Sequence, residues 1–252
     1  MTASNQTPNQ TPDQAPPAPA ARRIGLIVPS TNTVAERDFW TYSPESVSVH
    51  ASRMYIEETT AEDERRMVTT YLPDAARDIA TARPDVVVFS CTSAGAVLGA
   101  DGERAMIADL GKTCGVPVVS TNAAVRQALV RRGLKNVAVV TAYIPDLTHR
   151  IVAGIEAGGI RVPQSFGLGI VDPFGIADVT PEQIEKFIRD NVSPDGIDGI
   201  FLSCTNLRGY ETRARLAKWS GLPVVTSNHA ALEGALTILG LSALDADAPV
   251  QH

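Results

Sequence analysis

The chain has 252 residues, is 44% hydrophobic and carries a net charge of −6. That length suits one large domain or two small ones around a packed core. The acidic balance, with no long basic stretch, argues against nucleic acid or anionic membrane as partners. No run of about 18 apolar residues is present, so no spanning helix is expected.

Residues 1–21 are rich in Thr, Asn, Gln, Pro and Ala and hold no apolar run. They read as a disordered tail, neither signal peptide nor anchor. Arg23 to Pro29 is a short apolar strand ending at polar Ser30, Thr31, Asn32 and Thr33. Val47 to Ile56 reads as a further strand, and charged, periodic Thr60 to Ala82 as a helix. A second apolar strand follows Pro84 and ends in Ser90-Cys91-Thr92-Ser93. Gly115 to Ser120 is a third, running through Asn122 into the helical pattern Ala123 to Arg132.

The same series then returns. Asn136 to Tyr143 answers the first strand, and Arg161 to Leu168 is another. Pro181 to Asn191 is helical. The strand beginning at Ile197 ends in Ser203-Cys204-Thr205-Asn206. Gly221-Leu-Pro-Val-Val-Thr-Ser-Asn228 matches Gly115-Val-Pro-Val-Val-Ser-Thr-Asn122, and Ala230 to Leu239 is the closing helical pattern. Residues 242–252 read as a tail. The expected organisation is an α/β fold of two pseudo-symmetric parallel-sheet halves with a cleft between them. The first half takes residues 22–122 plus 229–241, and the second takes 123–228. If the helices after Asn122 and Asn228 pack across, the halves interlock.

Ligands in such folds sit beyond the carboxyl ends of the strands. Asn32, Cys91, Asn122, Tyr143, Cys204 and Asn228 all fall there. A thiol just before a helix amino terminus is expected to favour thiolate. Thr92, Ser93, Thr205 and Asn206 offer donors to a carboxylate, as does Asn32, which can equally cap the following helix. The Tyr143 hydroxyl would reach the cleft. Cys114 lacks this context and reads as structural, and His229 as a capping or packing residue. Three cysteines are too few for a disulfide framework, which places the thiols in a reducing, cytoplasmic setting. No dinucleotide fingerprint, phosphate-binding loop, serine-hydrolase elbow or metal-ligand spacing occurs. Two matched thiols and no cofactor motif point to proton transfer or nucleophilic chemistry.

From Arg22 to about residue 240 the chain resembles the aspartate/glutamate racemase superfamily. Within it, the likeness is to the branch of maleate cis–trans isomerases, arylmalonate decarboxylases and ectoine-utilisation racemase-like proteins. Arg22-Arg-Ile-Gly-Leu-Ile-Val-Pro-Ser-Thr-Asn32-Thr, Ser52-Arg-Met54 and Val139-Val-Thr-Ala-Tyr143 look like the isomerases. Leu202 to Arg208 and Val225 to Asn228 look more like the ectoine-utilisation proteins. The resemblance implies a small carboxylate held between the halves, no cofactor and a homodimer. It makes Cys91 the nucleophile of a maleate-to-fumarate isomerase, Cys204 its acid/base, and Asn32 and Tyr143 holders of the carboxylates. Racemisation by the same thiols is the alternative it leaves. Decarboxylation is disfavoured because the decarboxylases keep only the second cysteine, and a non-catalytic acid-binding protein has no need of the pair. Thr92-Ser93-Ala94-Gly95 replaces the isomerases' bulky apolar residues, and Pro173 stands where they carry a carboxylate-binding asparagine.

Overall fold

The computed structural model of the chain describes residues 21–241, so the expected tails, apart from Ala21, lie outside the described residues. The first sheet contains β1 (Arg22–Pro29), β2 (Val47–Met54), β3 (Val86–Phe89) and β4 (Val118–Ser120) in the order β2-β1-β3-β4. The second contains β5 (Asn136–Thr141), β6 (Arg161–Gly167), β7 (Gly199–Ser203) and β8 (Val224–Thr226) in the order β6-β5-β7-β8. Every pairing is parallel. The repeat visible in the residues is therefore a repeat of topology.

The central strands are apolar runs because both of their faces are covered. All of Val86–Phe89 and all of Gly199–Ser203 are buried. Edge strand β6 alternates between half-buried and exposed residues and tolerates Pro163, as an edge can. In each half the chain leaves the first strand for one side of the sheet and returns on the other. This opens a crevice at the carboxyl ends of β1 and β3, and another at those of β5 and β7.

Helices cover the sheets. They are α1 (Ala35–Tyr42), α2 (Ala61–Arg66), α3 (Leu72–Thr81), α4 (Thr92–Cys114), α5 (Thr121–Arg131), α6 (Pro145–Glu156), α7 (Pro173–Asp178), α8 (Pro181–Asn191), α9 (Gly209–Ser220) and α10 (Ser227–Ile238). The helix expected over Thr60 to Ala82 is broken. A π-helical stretch, Met67–Tyr71, joins α2 to α3. Pro73 at the start of α3 has no N–H to give the preceding turn, and a wider turn absorbs the loss.

Helices α5 and α10, the elements after Asn122 and Asn228, pack on each other. Helix α10 also touches β3 and β4 of the first sheet and β7 and β8 of the second. The approach is close enough that a side chain at Gly234 would crowd it. A Cβ at Gly234 would sit 3.2 Å from Val119 and 3.4 Å from Ala124. Tyr42 of α1 stacks on Tyr210 of α9, with ring centroids 3.8 Å apart. The halves are thus joined along one side and face each other across the strand ends on the other.

Candidate active site

Cys91 lies two residues beyond β3 at the N-cap of α4, and Cys204 directly follows β7. Both line one cavity of about 30 Å³, together with Asn32, Glu64, Ser93, Tyr143, Thr205 and Asn206. Pro29, Thr31, Ile56, Thr59, Pro173 and Ile176 complete its wall. The volume is about that of a water molecule or two.

Cross-half hydrogen bonds fix this arrangement. The Asn32 amide donates to Thr205 Oγ1 at 3.0 Å, and that hydroxyl donates to the Ser90 carbonyl at 3.2 Å. Asn32 Oδ1 meanwhile accepts the Val34 and Ala35 amides. Asn32 thus ties down the turn that leads into α1 while lining the cavity. Asn206 Oδ1 accepts the Thr33 amide at 2.9 Å, and its Nδ2 donates to the Pro173 carbonyl at 2.9 Å. The two matched asparagines have matched jobs. Asn122 Nδ2 donates to the Thr92 carbonyl at 3.1 Å, and Asn228 Nδ2 to the Thr205 carbonyl at 2.9 Å. Each anchors the residue after a cysteine.

Burial opposes the thiolate form that a helix terminus favours. Burial pushes the Cys204 thiol up to about 11 against opposing hydrogen bonds from Tyr143 and the Asn206 and Leu207 amides. Burial and then the Glu64 charge hold Cys91 well above the ordinary thiol range. Removal from water outweighs the few amide donors near each sulfur. Cys204 also departs in its surroundings. A turn, not a helix, follows it, because α9 begins only at Gly209. The Asn206 amide of that turn donates to its sulfur at 3.3 Å. Tyr143 is buried, its hydroxyl donates to Cys204, and burial raises its pKa well above 10.

Thr92 departs from the expectation of a cavity-facing donor. Its hydroxyl points away and donates to Ser227 Oγ at 3.0 Å, which in turn accepts the Cys204 amide at 3.2 Å. Ser93 does face the cavity. Its hydroxyl donates to Glu64 Oε1, and the Cys91 thiol donates to Glu64 Oε2 at 3.3 Å. Glu64 went unrecognised in the sequence. The signal was its phase on α2, three and four residues before buried Met67 and Val68, which puts it on the inner face. Cys114 lies apart, half-buried and donating to the Ala76 carbonyl. His229 packs edge-on against Tyr210.

The sequence profile of arylmalonate decarboxylase matches residues 24–250. The chain belongs to the arylmalonate decarboxylase family. It is 28% identical over 219 residues to a maleate isomerase of Alcaligenes faecalis, covering 81% of this chain and 86% of that protein. It is 27% identical over 218 residues to an arylmalonate decarboxylase of Bordetella bronchiseptica, covering 86% and 90%. Its fold is similar to the crystal structure of a maleate isomerase variant from Pseudomonas putida with maleate. The TM-score is 0.84 at 25% identity, covering 92% of this chain and 100% of that one. Two parallel-sheet halves are thus the family architecture. Among the described residues, no helix of this family member is long and apolar enough to cross a membrane.

Proposed function

We propose that the chain is an isomerase of a small carboxylic acid, of maleate-to-fumarate type, working through two cysteines and no cofactor. The observation that carries this reading is that Cys91 and Cys204, one from each half, line a single cavity. The isomerases among the family relatives support it.

In this reading the Cys91 sulfur, giving its proton to a neighbouring acceptor, adds to one olefinic carbon of the acid. The electron pair displaced onto the neighbouring carbon is held by the adjacent carboxylate and takes a proton from the Cys204 thiol. The former double bond is now single and rotates. The Cys204 thiolate removes the proton again, the C–S bond breaks, and the trans acid leaves. The Tyr143 hydroxyl, already donating to Cys204 sulfur, stabilises the thiolate that each cycle forms there. Asn32 and Asn206 supply neutral donors for the carboxylates, with Thr205 positioning the Asn32 amide. Each asparagine amide has one N–H engaged within the protein and a second available to ligand.

A proton NMR time course with maleate tests this. Fumarate is expected with the intact chain and is expected to be absent with Cys91→Ala. Unchanged maleate with both would remove maleate as substrate. Exchange of a Cα proton for deuterium in heavy water, without alkene isomerisation, would favour a racemase.

A further inference from the structure

A nucleophile that burial holds in the thiol form needs a group to take its proton. Four titratable side chains line the cavity: Glu64, Cys91, Tyr143 and Cys204. Tyr143 and Cys204 are held protonated by burial and sit with each other. Glu64 is the remaining one, and its geometry is that of a base on a nucleophile. Oε2 accepts the Cys91 S–H at 3.3 Å, and Oε1 is fixed by the Ser93 hydroxyl. The carboxyl is 2% exposed, and no arginine or lysine borders the cavity. An acid buried without a cation costs stability, and such placements concentrate at working sites.

We propose that Glu64 is the proton acceptor of Cys91, a catalytic residue that touches the reacting sulfur; this rests on the two-cysteine reading above. The Cys91 proton passes to Glu64 Oε2 as sulfur adds to the alkene carbon, so the carboxylate becomes a neutral acid. When the C–S bond breaks, the departing sulfur takes the same proton back. No electrons are gained or lost, and the negative charge moves from carboxylate through substrate to the Cys204 thiolate and returns. Burial lifts the Glu64 carboxyl to about 7, which makes it a stronger base than an ordinary carboxylate and places its titration at neutral pH. The charges facing it are Asp63 on its own helix, Cys91 at the start of α4, and Cys204 and Tyr143 across the cavity.

Two measurements on the full chain test this. The first is alkylation of Cys91 by iodoacetamide across pH, read by peptide mass spectrometry. With the proton shared, the rate rises, flattens above about pH 7 and rises again at alkaline pH. Glu64→Gln should abolish the flat segment, leaving one continuous rise, and identical profiles would overturn the proposal. The second is turnover of maleate. Glu64→Gln should lower kcat by about 10²–10⁴-fold with a smaller change in KM, and Glu64→Asp should recover part of it. A Glu64→Gln protein that melts like the parent and keeps its kcat would equally overturn the role. Full activity in Cys91→Ala would instead sink the two-cysteine reading, while the alkylation profiles still decide whether Glu64 shares the thiol's proton.

Discussion

The Thr59 amide donates to the Val171 carbonyl at 3.0 Å, joining the loop after β2 to the segment that leads into α7. Both segments wall the cavity, the first through Ile56 and Thr59 and the second through Pro173 and Ile176. The space of about 30 Å³ is small for a diacid, and opening this clasp would widen it for a ligand to enter. Hydrogen exchange measures the opening directly. The Thr59 amide is expected to exchange faster than the strand amides of Val87 and Val139, and at least tenfold slower once a diacid is bound. A Thr59 amide as slow as the core strands in the free protein would mean that entry runs elsewhere.

Tyr143 donates its hydroxyl to Cys204, and that bond opposes the burial that pushes the thiol up to about 11. Tyr143→Phe keeps the buried ring and removes only the donor. The thiol should then be harder to ionise. We expect kcat to fall by about 10–100-fold, roughly 1.4–2.7 kcal/mol of transition-state stabilisation. KM should change less. An unchanged kcat in the NMR assay would leave Tyr143 a packing residue.

The strands and both cysteines were legible because a strand buried on both faces must be apolar, and the chain leaves it at a polar residue. Two features were not. Thr92 and Ser93 are neighbours on a helix, so their side chains diverge by about 100° and only one can face the cavity. Which one depends on where α4 begins, and no residue of Ser90-Cys91-Thr92-Ser93 announces that phase. Glu64 stands among Glu62, Asp63, Arg65 and Arg66 and reads as one more solvated charge. Its inward turn depends on α4 arriving with Cys91 and Ser93, a contact between elements far apart in sequence. The thiols' resting protonation was not legible for a related reason: a helix terminus that favours thiolate is visible in a sequence, whereas the depth of burial that opposes it is not.

The split between Thr92 and Ser93 gives paired expectations. Thr92→Ala removes the partner of Ser227 outside the cavity, so it should cost about 1–2 kcal/mol of stability and leave kcat within a few-fold. Ser93→Ala removes a hydrogen bond that favours the ionised Glu64 carboxylate. The Glu64 pKa should then rise further, moving the acid limb of the kcat/KM profile to higher pH. Thermal melts and pH–rate profiles of both variants check this. A shifted limb in Thr92→Ala with none in Ser93→Ala would reverse the assignment.

Asp38 offers a test of stability at a carboxyl outside the cavity lining. It is 2% exposed on α1, and its Oδ2 accepts the Asn228 amide of α10 at 2.7 Å. Burial lifts its pKa from 3.8 to about 7. The Asn228 hydrogen bond opposes that rise, Glu211 adds to it, and Arg37 and Arg208 oppose it. The folded state therefore holds this proton more tightly than the unfolded chain. The resulting stability is present in full below the unfolded value and is lost as pH climbs from about 3.8 to about 7. Above that, the buried charge costs on the order of 2–4 kcal/mol. Asp38→Asn keeps the shape and the acceptor without the charge. Its melting temperature should exceed the parent's above about pH 7 and converge on it toward pH 4. Glu64 has the same sign of shift, so the variant should keep part of the parent's decline with pH. An equal gain at both ends of the range would show that the substitution acts through packing, not through the Asp38 proton.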